Sequence, residues 1–173
     1  MLISEKMNAA LNEQVGHEFG ASLQYVAIAG YFDSDNLPEL AAHFYRQADE
    51  ERDHAMRLVH YVVEAGGKVA IAAIPAPKSG FASAEEAVKL SVDWEMTVTR
   101  QINTLVDLAI KETDHTTQTF LQWFVNEQLE EVSSMERLLS MIRRAGANLL
   151  LVEDYLARHG GGGAKKEAAA AAE

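Results

Sequence analysis

Glu18, Glu51, Glu95 and Glu131 are the residues of this chain whose type and spacing point to chemistry. Each interrupts an apolar stripe in a different helix-patterned segment. Stepping by heptads, Leu11, Glu18, Tyr25 and Phe32 share one helical face, as do Phe44, Glu51, Leu58 and Ala65. Val88, Glu95, Ile102 and Ala109 form a third series, and Phe124, Glu131, Leu138 and Ala145 a fourth. A heptad step returns to nearly the same side of a helix, so each glutamate points where its apolar neighbours point. A buried carboxylate is costly, and several that converge repel one another unless they share cations. His54, on the same side of the same turn as Glu51, adds a nitrogen donor. Together these residues fit a di-metal site inside a four-helix bundle.

The donor set constrains the ion. Oxygen ligands with a single imidazole suit iron or manganese, and no thiolate is present to favour copper or zinc. Two divalent ions bring as much positive charge as the four glutamates bring negative. Gln128, one turn before Glu131, occupies the matching place on the fourth segment. Glu50, Glu127 and Glu130 flank the same levels; they form either a further ion site or a solvated acidic face. Tyr25 lies two turns beyond Glu18, either as a hydrogen-bond or redox partner of the metals or as a core residue. His17, His43, His60, His115 and His159 have no comparable partner on a stripe and receive no role. A lone glutamate on an apolar stripe usually turns its head to water, since Glu is almost never fully buried unless paired. Four at one level, with a Glu-x-x-His spacing, do not fit that account.

Five helical stretches must hold these residues. The first runs from about Ser4 to Tyr31, with a stripe through Met7, Leu11, Val15, Ser22, Tyr25, Val26 and Ala29. A turn, Asp33-Ser34-Asp35-Asn36, follows, and Pro38 opens a second helix that stops at Gly66-Gly67. Ser83-Ala84-Glu85-Glu86 is a capping-box pattern for a third helix lasting to about Glu112. The fourth begins near Thr116 and ends at Gly146, and a short fifth, Asn148 to Arg158, has Asn148 as its candidate cap. Short links make the first and second helices, and the third and fourth, antiparallel hairpins. The link from Gly67 to Ala82 is different. Extended, it reaches roughly 50 Å, more than the roughly 42 Å of a helix this long. It can carry the chain back along the whole bundle. The expected fold is all-α: a ferritin-like four-helix bundle with one long crossover between helices 2 and 3, plus the fifth helix. Residues 1–159 are the expected domain and 160–173, rich in Gly and Ala, a flexible low-complexity tail.

Composition sets outer bounds. The formal net charge of −11 argues against nucleic-acid binding and for attraction of cations. With Cys at 0, disulfides, thiolate metal sites and cysteine nucleophiles are excluded. No apolar run approaches the roughly 20 residues that span a bilayer, and the start of the chain lacks a signal-peptide pattern. A cytoplasmic location with no membrane contact is expected.

Over roughly Met1 to Arg158 the chain resembles the bacterial non-haem ferritins, including their five-helix layout. Gln47-Ala48-Asp49-Glu50-Glu51-Arg52-Asp53-His54-Ala55-Met56 is similar to that family's second-helix site. Phe120-Leu121-Gln122-Trp123-Phe124-Val125-Asn126-Glu127-Gln128-Leu129-Glu130-Glu131 is similar to its fourth-helix site. The resemblance implies that Glu18, Glu51 and His54 hold one ferroxidase iron, with Glu51 bridging to a second held by Glu95 and Glu131. It places Gln128 near the second iron and Tyr25 beside the centre. Glu50, Glu127, Glu130 and Glu131 match a third iron site found in some members. It further implies oxidation of Fe(II) to Fe(III) by O2 or H2O2, and a hollow homo-oligomeric shell of 24 subunits storing ferric oxide. The fifth helix would line the shell's four-fold axes. Two departures separate the chain from bacterioferritins. Their methionine haem ligand is replaced by Arg52, so no haem is expected, and the fourth helix reads Gln128-x-x-Glu131 in place of Glu-x-x-His.

Rival classes are weaker. A rubrerythrin-like peroxide reductase usually carries a cysteine-ligated iron module, which this chain cannot supply. A non-catalytic shell subunit would have no use for the full set of candidate ligands. A DNA-protecting mini-ferritin would lack the fifth helix and place its site between subunits.

Overall fold

A computed structural model describes residues 2–160. The predicted tail, past Gly160, lies outside the described residues. Five helices follow in order: α1 (Glu5–Ser34), α2 (Pro38–Glu64), α3 (Ala84–Lys111), α4 (His115–Ala145) and α5 (Leu150–His159). No strand occurs among the described residues. The all-α bundle read from the sequence is the one observed.

Local chemistry sets most of the helix ends. Ser4 accepts a hydrogen bond from the Met7 amide at 2.9 Å, and Asp114 accepts one from the Thr117 amide at 2.9 Å. Ser83 accepts from the Glu86 amide at 3.1 Å, while the Glu86 carboxylate reaches back to the Ala82 amide at 2.6 Å. That is the predicted box, displaced by one residue on its return arm. Two expectations are corrected. α1 continues past Tyr31 to Ser34, because the chain reverses only at Asn36, which takes the left-handed φ of 58°. Asn148 does not cap α5; its amide closes a turn onto the Ala145 carbonyl at 3.0 Å, and Leu149 holds the cap position without a side-chain bond.

The core is two apolar bodies stacked along the bundle. One contains Tyr25, Ile28 and Phe32 of α1, Leu40 and Phe44 of α2, Val88 of α3, and Met135 and Leu138 of α4. The other contains Met7, Leu11 and Val15 of α1, Leu58 and Val62 of α2, Val98, Ile102 and Leu105 of α3, and Leu121 and Phe124 of α4. Along α1 and α4 the chain passes from the second body to the first; along α2 and α3 it passes from the first to the second. Hence α2 and α3 run in the same direction, and the link between them must return the full length of the molecule. The predicted stripe holds except at Val26, which is 46% exposed.

That returning link is strapped to α1 by side chains that stand in for a neighbouring strand. Asn8 Oδ1 accepts from the Lys68 amide at 2.9 Å, and Asn12 both donates to the Lys68 carbonyl at 2.8 Å and accepts from the Ala70 amide at 2.6 Å. At the far end Gln24 pairs with both backbone groups of Lys78, at 2.8 and 2.9 Å. These bonds satisfy backbone polar groups that have no ladder partner. Glycine is needed at Gly67, where a Cβ would stand 2.3 Å from Asn8 Oδ1.

Val152 and Leu156 seat α5 on the core, and one carboxylate ties it to the start of α2. α2 begins at Leu37-Pro38 without a side-chain cap. Glu153 of α5 fills that role from across the fold, accepting from the Glu39 and Leu40 amides at 2.9 and 2.8 Å. An anion at a helix N-terminus also meets the positive end of the helix dipole. Charge-assisted hydrogen bonds of this kind contribute about 1.5–3 kcal/mol each. Replacing Glu153 with Ala should speed hydrogen exchange at the Glu39 and Leu40 amides and loosen α5, leaving exchange in the middle of α3 unchanged. Equal protection in the variant would exclude the clamp.

Candidate metal centre

Between the two apolar bodies lies a polar layer. Glu18 falls between Val15 and Ala21 on α1, Glu51 and His54 between Ala48 and Leu58 on α2. Glu95 falls between Val88 and Val98 on α3, and Gln128 and Glu131 between Phe124 and Met135 on α4. All six side chains are buried. In antiparallel helices of similar length the middles stay level, which is why residues far apart in sequence converge here.

One set of donors is closely gathered. Ligand atoms of Glu18, Glu51 and His54 lie within 4.8 Å of one another. A second set, His54, Glu127 and Glu131, meets the same limit, so the His54 imidazole is common to both. His54 Nδ1 stands 3.3 Å from Glu51 Oε2. The His54 ring is fixed edge-on by Trp123 at 5.3 Å and Phe124 at 6.1 Å, and the Arg57 guanidinium covers Trp123 at 4.0 Å. Two carboxylate oxygens, Glu18 Oε2 and Glu51 Oε1, are buried with no hydrogen-bond partner. Orphaned buried acceptors of this kind are what a cation would satisfy.

Glu95 is placed differently. The Tyr25 hydroxyl donates to its Oε1, and Gln128 Nε2 donates to its Oε2 at 3.4 Å. Thr99 lies 2.9 Å from the Gln128 amide oxygen and so fixes the direction of that amide. The Tyr25 ring packs against Phe44 in the apolar body while its hydroxyl meets Glu95, so its two readings coexist in the geometry. Glu50 is half-buried beside Gln47, whose amide donates to it, and its charge is felt at Glu51 and Glu131. Glu130 is exposed and belongs to neither gathered set.

Electrostatics agree with the geometry. Burial raises the Glu51 carboxyl well above its ordinary value of 4.5, and the charges of Glu95 and Glu18 raise it further. Glu131 is raised well above that value by burial and then by Glu51 and Glu95. Burial also raises Glu18, opposed by His54 and the Gln14 amide, and raises Glu95, opposed by Tyr25 and Gln128. Burial and Glu95 hold the Tyr25 phenol well above 10. Metal-free, the layer takes up protons; divalent cations would release them.

Polar supports were missed by the heptad argument. Gln14 donates to Glu18 Oε1 at 2.9 Å, and Thr99 and Gln47 support Gln128 and Glu50. Each sits one helical turn from a site glutamate, at positions Gln14–Glu18, Gln47–Glu51 and Glu95–Thr99. Stepping by four residues from each glutamate would have found them.

Fold and site thus define a helical-bundle protein with a buried carboxylate–histidine centre. The Ferritin-like domain family matches residues 8–145. Ferritin BfrB of Mycolicibacterium smegmatis is 45% identical over 156 residues, 90% of this chain and 86% of that protein. A bacterial non-heme ferritin of Staphylococcus aureus is 36% identical over 145 residues, 84% of this chain and 87% of that one. Among solved structures, the open-pore ferritin of Archaeoglobus fulgidus superposes with a TM-score of 0.87 at 37% identity, covering 90% of this chain and 96% of that one. The chain belongs to the ferritin family.

The raised carboxyls make stability depend on pH with a definite sign. Folded, these groups hold protons more tightly than when unfolded, so metal-free stability falls as pH rises above 4.5 toward their folded values. The slope is at most about 1.4 kcal/mol per pH unit for each such group. Glu51→Gln should therefore melt higher than the parent in chelator, with a gap that widens from pH 5 to 8. Adding a divalent cation should close the gap. A pH-independent gap would count against a shared charge layer.

Proposed function

We propose that the chain is an iron-storage ferritin subunit that oxidises Fe(II) at this centre and stores the ferric product inside a homo-oligomeric shell. The observation that carries it is the pair of orphaned oxygens, Glu18 Oε2 and Glu51 Oε1, buried beside His54. Glu18, Glu51 and His54 bind the first ferrous ion; Glu51 bridges to a second held by Glu95 and Glu131. Each Fe(II) gives up one electron, so an ion pair reduces O2 to H2O2, or H2O2 to water, with uptake of two protons. The protein supplies position and compensating charge, and the redox chemistry belongs to iron. Tyr25 and Gln128 hold Glu95 until the second ion arrives, with Gln128 near that ion. Glu50, Glu127, Glu130 and Glu131 form an outer acidic step toward storage, His54 being within reach of its Glu127–Glu131 edge.

The family relationship supports storage and a shell, and the exposed apolar surface agrees. Leu150, Leu151 and Tyr155 of α5 are 70%, 61% and 46% exposed on a helix that is itself clamped in place. Such a face is suited to other copies of the chain. A closed shell of the 24-subunit kind, in the cytoplasm and without nucleic acid or membrane, completes the proposal. Haem has no part in it, because Arg52 is an exposed cation paired with Asp53 at 3.8 Å. No described helix is long and apolar enough to cross a membrane.

Stopped-flow absorbance after mixing apo-protein with two Fe(II) per subunit in air tests the activity. A fast phase saturating near that ratio is expected in the parent. Glu51→Ala and His54→Ala should each slow it by at least about 100-fold, beyond what loss of an outer-shell partner costs, while remaining helical and assembled. Parent-like rates in both variants would refute the centre. Tyr25→Phe should leave Fe(II) binding intact but alter the kinetics of the step that loads Glu95; unchanged kinetics would return Tyr25 to a packing role.

A further inference from the structure

Gln14 is 2% exposed, a polar side chain sealed beside the centre whose amide meets Glu18. Its Nε2 donates to Glu18 Oε1 at 2.9 Å, and its Oε1 faces His17 Nδ1 at 3.5 Å. The direction of the amide follows from chemistry. A metal-ligating Glu18 is ionised and can only accept, so the NH2 end must face it and the carbonyl end must face away. Gln14 and Glu18 are four residues apart on α1, so the helix itself sets the approach.

The consequence lies in the other oxygen. Glu18 Oε2 is buried and without a partner. A carboxylate with both oxygens unengaged can chelate an ion through the pair. One whose Oε1 already accepts from an amide has a lone pair committed there and is a weaker donor through that oxygen, so binding through the free Oε2 is favoured. We propose that Gln14 is a positioning residue of the centre: by occupying Glu18 Oε1 it makes Glu18 a one-oxygen ligand and presents Oε2 to the first metal ion. Glu95 shows the contrast. Both its oxygens already accept a hydrogen bond, from Tyr25 and Gln128, so neither is left wholly free for an ion as Glu18 Oε2 is. The Gln14 bond leaves Glu18 open and aimed, which keeps a coordination position on the first ion available for the oxidant.

This role rests on the metal centre proposed above, and Co(II) tests the two separately. Co(II) is not oxidised by the centre, and its visible absorption weakens as its coordination number rises. Full-length apo-protein is titrated with Co(II). The parent should bind with a visible band that Glu51→Ala abolishes; no binding, or equal binding in Glu51→Ala, overturns the centre and the role of Gln14 with it. With that established, Gln14→Met removes the donor at nearly constant volume. Glu18 should then chelate, the band should weaken per bound Co(II), and affinity should drop about 10-fold. A residue that merely satisfied a buried oxygen would lower the melting temperature of the metal-free protein and leave the bound spectrum unchanged. An unchanged Co(II) spectrum therefore overturns the proposal, whatever happens to stability. Gln14→Asn keeps an amide but shortens its reach by one methylene, and should give the same spectral change, including where the methionine variant does not fold.

Discussion

The burial of four carboxylates in one layer is the constraint on which the rest of this structure depends. Glu18, Glu51, Glu95 and Glu131 are all removed from water, and burial raises every one of their pKa values. No apolar packing can compensate such a layer, since a buried charge is tolerated only when paired. The layer divides the core in two, and each half must be large enough to hold the helices together alone. Long helices follow from that requirement.

Around the layer the protein spends hydrogen bonds selectively. Glu95 is doubly satisfied, Glu51 meets His54, and Glu18 is held on one side by Gln14. Within the layer, the buried carboxylate oxygens left without a partner are Glu18 Oε2 and Glu51 Oε1. Glu153 solves an analogous problem at the end of the bundle, where a helix without its own cap borrows a carboxylate from α5. In both places an acidic side chain is fixed by donors it cannot choose for itself, and the fold supplies them.

Much of this was legible in the sequence. Heptad series through Glu18, Glu51, Glu95 and Glu131 located the layer because helical periodicity is a local property, carried by residues within a few turns of one another. The cap at Ser83 and the breaks at Gly66-Gly67 and Gly146 were legible for the same reason. Val26 was not, since it lies beside the stripe and is 46% exposed. Asn148 had the chemistry of a cap, but the turn after α4 claimed its backbone first.

What the sequence by itself determined was which residues share a helical face, which ends close, and that four glutamates stand mid-height among apolar neighbours. Periodicity and capping act over one or two turns, and need no partner element. Only the tertiary structure decided which donors from other helices meet each carboxylate. Tyr25 binds Glu95 across 70 residues in preference to Glu18 two turns away, and His54 is shared between two gathered sets on different helices. It also decided that Glu130 faces outward while Glu127 faces His54. Those choices depend on how far one helix is rotated and shifted against another. That is set by the packing of the two apolar bodies as a whole, and no local stretch of chain records it.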